Sequence, residues 1–72
     1  MSASIYKKIE LVGTSTTSFE HATSQAVERA AATTRGLSWF EVTELRGAIS
    51  DGKISEYQVS LKIGLRVDEA AG

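Results

Sequence analysis

The sequence predicts an α+β fold of order β-α-β-β, a three-stranded antiparallel sheet partly wrapped around one α-helix. Three observations predict it. Asp51-Gly52 separates two long extended runs, a two-residue hairpin signal. An alanine-dominated stripe recurs at helical spacing over residues 18–35. A shorter alternating segment, residues 4–12, precedes that stripe.

In the first strand Ile5, Ile9 and Leu11 share one parity, Tyr6 and Val12 take the other, and Lys7, Lys8 and Glu10 lie between. Gly13 is expected to end the strand, with Thr14 to Ser18 as connection. Thr17 followed three residues later by Glu20 fits a capping box. The helical stripe runs through Phe19, Ala22, Ala26, Val27, Ala30 and Ala31, so the helix should lie close against what it covers. Arg35 suits the negative end of the helix dipole, and Gly36 the C′ position. The hairpin strands are expected over 37–50 and 53–67. In the second, Tyr57, Val59, Leu61, Ile63, Leu65 and Val67 alternate with Gln58, Ser60, Lys62, Gly64 and Arg66. The tail, residues 68–72, is expected to fray, and residues 1–72 read as one domain.

A net charge of −1 supplies no bulk attraction to nucleic acid or acidic membranes. No apolar run is long enough to span a bilayer, and the start lacks the apolar core of a signal peptide, so the expected compartment is the cytoplasm. With no cysteine and one histidine, neither disulfides nor a single-chain zinc site can staple the fold. Small unstapled domains depend on very good packing or on oligomerisation.

Element lengths favour oligomerisation. A helix of about 17 residues measures roughly 25 Å, whereas a 15-residue strand extends roughly 50 Å. The uncovered end of the hairpin would be an apolar association surface. Phe40 and Val42 share one parity while Leu45 and Ile49 share the other. Either a bulge near Thr43-Glu44 re-aims the strand, or its far half packs against another subunit. The alternative is a monomer whose hairpin curls around its helix.

Motifs for chemistry are sparse. His21 lies off the apolar stripe and reads as a solvated helix residue. Gly13-Thr14-Ser15 follows a strand and precedes a helix but lacks the Gly-Lys-Ser/Thr signature of a phosphate loop. Glu41, Glu44 and Glu56 read as solvated or cross-strand residues. Trp39 differs. Neighbouring strand residues point to opposite faces, so with Phe40 on the core face Trp39 lies on the other. In a register without bulges it falls opposite Gly64, which leaves space beside the indole, and Gln58 falls opposite Leu45. A flat aromatic surface there suits stacking on a planar ligand or on a partner's aromatic.

Three segments, "YKKIELVGTS", "LSWFEVTELRG" and "EYQVSLKIGLRV", resemble the dodecins, small flavin-binding proteins, in the same order over nearly the whole chain. The resemblance implies a hollow homododecamer that binds riboflavin, FMN or FAD in pairs near two-fold axes. The flavin rings stack between tryptophans, for storage, buffering and photoprotection without turnover. Some members also bind coenzyme A. By position, Trp39 matches the stacking tryptophan and Gln58 the glutamine that bonds the polar ring edge. Arg46 matches a residue near the flavin that could meet an FMN phosphate. Lys7, Arg29 and Arg66 match basic positions that meet phosphates of FMN or coenzyme A. Glu44, acidic in some archaeal members, is left out of the site.

In that register Leu45, the partner of Gln58, lies six residues from Trp39, roughly 20 Å along the strand, so one flavin ring cannot touch both in one subunit. A site using both would be shared between chains. Stacking on the indole should quench an excited flavin by electron transfer. Two other functions are considered: a flavin-dependent redox enzyme, and a structural or coenzyme A-binding shell without flavin.

Overall fold

A computed structural model of the chain describes residues 4–67. It shows β1 (Ile5–Ser15), α1 (Phe19–Thr33), β2 (Leu37–Ser50) and β3 (Lys53–Val67). All pairings are antiparallel and the sheet order is β1-β3-β2, so α1 crosses one face. The β-α-β-β order and the single sheet agree with the sequence. The expected frayed tail, 68–72, lies outside the described residues.

The last strand is the middle of the sheet because its alternation is the cleanest. Val59, Leu61, Ile63 and Leu65 are buried, facing Ala22, Ala26 and Ala30 of α1. Alanine at the contact lets the helix axis come near the sheet. Gly13, on β1, meets the same alanine face of the helix. It does not end β1, which continues to Ser15, and Gly13 pairs with Val59. A Cβ at Gly13 would collide with the Ala22 carbonyl oxygen. Its missing side chain therefore serves helix packing rather than strand termination.

Buried Ser15 organises the turn into α1. Its Oγ accepts the backbone N–H groups of Thr17 at 2.9 Å and Ser18 at 3.4 Å, and it lies 2.7 Å from His21 Nδ1. His21 is exposed, as expected, but its ring is tied to Ser15 instead of hanging free in solvent. The N-cap is Ser18, whose Oγ accepts from the His21 N–H at 2.9 Å. This shifts the cap one residue beyond the expected Thr17, because Thr17 is still part of the Ser15-centred turn. At the other end α1 stops at Thr33 and Thr34 caps it, its N–H bonded to the Ala30 carbonyl at 2.9 Å. Arg35 thus lies outside the helix. Gly36 is one residue past C′; at φ +78° it turns the chain so that its carbonyl accepts the Arg66 N–H at 3.0 Å and β2 joins the sheet.

The hairpin turn has positive φ at both central residues, 54° at Asp51 and 74° at Gly52, as a type I′ turn requires. Ser50 pairs with Lys53. Two irregularities then displace the register and cancel. Between Ala48 and Ile49 the partners jump from Ile54 to Glu56, leaving Ser55 extra in β3; between Val42 and Glu44, Thr43 is extra in β2. Trp39 therefore still faces Gly64, while Gln58 faces Arg46 and not Leu45. The Thr43 bulge also settles the parity conflict, since it returns Leu45, opposite Val59, to the side of Val42, opposite Leu61.

One continuous apolar face results, and α1 covers only part of it. A 15-residue helix spans roughly 22 Å, whereas the longest axis of the subunit is 57 Å. Leu45, Ile49 and Ile54, at the hairpin end, remain 57%, 76% and 61% exposed. Phe40 and Val42 are also exposed.

The Gly13 contact yields a stability prediction. Gly13→Ala forces the helix off the sheet, and overpacking of this kind costs about 2 kcal/mol. A denaturant midpoint matching that of the unsubstituted protein would show that the helix can move away at no cost.

Candidate stacking site

Opposite the helix, the sheet presents its polar face in rows that cross all three strands. Lys8, Gly64 and Trp39 form one row; Glu10, Lys62 and Glu41 the next; and Thr14, Gln58 and Arg46 another. Tyr6 and Arg66 pair at the β1–β3 end.

Trp39 lies on the sheet over Gly64. The sequence suggests open space at that glycine, but the indole itself fills it: a Cβ at Gly64 would collide with three atoms of the six-membered ring. Glycine is thus the seat of the tryptophan. Tyr6 meets the indole edge-on, with centroids 5.2 Å apart and planes at 63°. The indole Nε1–H donates to Glu41 Oε1 at 3.2 Å, and Lys8 Nζ lies 2.9 Å from the same oxygen. The Lys8 ammonium, followed by the indole N–H, holds the Glu41 carboxyl below the usual carboxylate range. With 40% of its surface exposed, Trp39 offers a flat, fixed aromatic plane to whatever approaches.

A second cluster forms farther along β3. Arg46 Nε donates to Gln58 Oε1 at 2.7 Å, and Gln58 Nε2 donates to Glu56 Oε1 at 2.9 Å. Arg46 also lies 3.7 Å from Glu44. Each amide atom of Gln58 keeps one free valence, a donor and an acceptor side by side. Six residues along β3 separate this cluster from Gly64, roughly 20 Å.

The structure therefore brings Arg46 and Gln58 together, and sets Arg66 beside Tyr6 near Trp39. It does not gather the remaining basic candidates. Lys7 pairs with Leu65 and so occupies the helix-side face, and Arg29 stands on α1 beside a hollow lined by Thr14 and Gln25. Sequence reasoning missed Tyr6, Lys8, Glu41 and Glu56. Glu41 had a signal, since residues two apart on a strand share a face. Lys8 had none until the β1–β3 register was known. Among the described residues no group of three or more His, Cys, Asp or Glu could hold a metal ion.

Two predictions follow from the Trp39 seat. Gly64→Ala displaces the indole into solvent, giving a red-shifted tryptophan emission; an unshifted spectrum would mean that the ring does not need the glycine. The second concerns pH. The folded-state pKa of Glu41 is depressed, so its contribution is fully present above the unfolded carboxylate value of about 4.3. That contribution is lost as pH falls through the lower folded value. Tryptophan emission should hold steady as pH falls from neutrality and change only below the ordinary carboxylate range, with this transition missing in Glu41→Gln. A change centred near neutrality would contradict the assignment.

Comparison with known proteins accords with this geometry. The Dodecin family model matches residues 5–68. Dodecin from Thermus thermophilus is 51% identical over 65 residues, covering 90% of this chain and 94% of its own. The structure of dodecin from Streptomyces coelicolor superposes with a TM-score of 0.90 at 48% identity, covering 96% of this chain and 99% of its own. A calcium dodecin from Mycobacterium tuberculosis is 37% identical over 68 residues, covering 93% and 94%. Its structure, described as calcium-chelating, has a TM-score of 0.78 at 33% identity, covering 92% and 94%. By family model, sequence identity and fold alike, this chain belongs to the dodecin family.

Proposed function

We propose that the protein is a non-catalytic flavin-binding protein that works as a homododecamer, storing and buffering FMN, riboflavin or FAD and shielding it from photochemistry in the cytoplasm. The observation that carries this reading is the indole of Trp39, laid flat over Gly64 on a face that no element among the described residues covers, and 40% exposed. Such a surface suits a planar ring system. When bound, a flavin would supply the absorbing, redox-active ring.

The chain's own residues divide the work. Trp39 stacks on the ring. Gln58 offers its adjacent donor and acceptor to a polar ring edge, held in orientation by Arg46 and Glu56. Arg46 and Arg66, both exposed, are charges suited to a phosphate. Because Trp39 and Gln58 stand roughly 20 Å apart along the strand, a flavin ring of about 10 Å reaches both only when a second subunit supplies one of them. The bare apolar face at Phe40, Val42, Leu45, Ile49 and Ile54 favours such association. Arg29, beside the Thr14–Gln25 hollow, also suits a phosphate of coenzyme A, which makes that cofactor a second candidate ligand.

The test is size-exclusion chromatography with added FMN, applied to the protein and to Trp39→Ala. Twelve chains of 7.7 kDa make about 92 kDa. Elution near that mass with flavin absorbance in the peak is expected for the protein, and at least tenfold weaker flavin retention for the variant. A colourless peak, or equal retention by both, would overturn the flavin assignment; elution as a monomer would overturn the assembly. A peak that retains coenzyme A but not FMN would favour the second ligand.

A further inference from the structure

All three strands contribute to holding one indole. Gly64 on β3 gives the ring a seat but no lateral restraint, since a glycine has no side chain to grip it. Tyr6 on β1 bounds one edge through an edge-to-face contact. The six-membered ring rests on Gly64 in one orientation, and turning the indole over about its Cβ–Cγ bond would carry that ring off its seat. The Nε1–H bond to Glu41 adds a directional contact, because the turned-over ring also carries that donor away from the carboxylate. Glu41 is in turn fixed by Lys8, which reaches from β1 across β3 to β2.

We propose that Glu41, held by Lys8, is a positioning residue for Trp39, locking the indole in the one orientation that leaves its outward plane ready for a planar ligand. The proposal rests on the flavin reading for the identity of that ligand, but not for the lock itself. An exposed ion pair adds little to stability, so its effect here lies in orientation. A tryptophan free to turn must be ordered when the ligand binds, and ordering one such side chain corresponds to about a three- to tenfold loss of affinity. Glutamine in place of Glu41 keeps an acceptor oxygen for the indole N–H and loses only the charge.

The experiment titrates FMN into the assembled protein and into Glu41→Ala, Glu41→Gln and Lys8→Met. Each is also examined by near-ultraviolet circular dichroism at the red edge of the indole band, where the chain's one tryptophan reports alone. Far-ultraviolet spectrum and elution volume confirm the fold. Glu41→Ala should lose the tryptophan band and bind FMN about three- to tenfold more weakly, while Glu41→Gln stays close to the unsubstituted protein. Lys8→Met should fall between them. Retention of both band and affinity by Glu41→Ala would overturn the proposal, as would a Glu41→Gln variant impaired as fully as Glu41→Ala. If Glu41→Ala does not fold, Lys8→Met decides: a weakened band with reduced affinity supports the lock, and no change in either overturns it. Failure of the unsubstituted protein to bind FMN would overturn the flavin reading instead, and the tryptophan band alone would then judge Glu41.

Discussion

The structure turns on a mismatch of length. A helix rises 1.5 Å per residue and a strand more than twice that, so α1, with 15 residues, cannot shield a hairpin whose strands have 14 and 15. The buried core is confined to the alanine face of α1 and the Val59–Leu65 stretch. Apolar side chains continue past it to Ile49 and Ile54, which the subunit leaves in water. The sequence has no cysteine, and among the described residues no cluster of His, Cys, Asp or Glu could hold a metal ion to compensate. Association with further copies is the simplest way for such a chain to complete its core, and it is also what would bring Trp39 of one subunit near Gln58 of another.

Much of this was legible in the sequence, and the reasons are physical. Alternation from Tyr57 to Val67 has period two, alanines from Ala22 to Ala30 have a helical period, and Asp51-Gly52 selects its turn through positive φ. These signals are local. What stayed hidden depends on contacts between distant segments. Gly13 looked like a strand stop because its true partner, the Ala22 carbonyl, belongs to the helix that packs on it. The cap at Ser18 depended on the Ser15 turn, and the cross-strand partner of Gln58 on the first of two bulges. The pairing of Trp39 with Gly64 could be foreseen only because those bulges cancel.

The candidate site shows the same division. Trp39, Arg46 and Gln58 were identifiable by position, and the structure places the latter two in hydrogen-bond contact. Lys7 and Lys8 illustrate the limit. They are adjacent and chemically alike, but one faces the helix side beside Leu65 and the other reaches Glu41 on the opposite side. The family resemblance implied Lys7 as a basic residue for a phosphate, whereas the geometry around the indole engages Lys8. Strand parity, not charge, separates them.

The glycine beneath Trp39 has a consequence for any column of stacked planes. An aromatic ring exposed on both sides is a link through which stacking can continue; one pressed against backbone on one side is an end plate. Gly64 makes Trp39 an end plate. A column that begins on this indole can grow only outward, and when a facing copy presents its own indole the column is closed at both ends. The number of planes it holds is then fixed by the gap between two sheets, as the number of books is fixed by the distance between bookends.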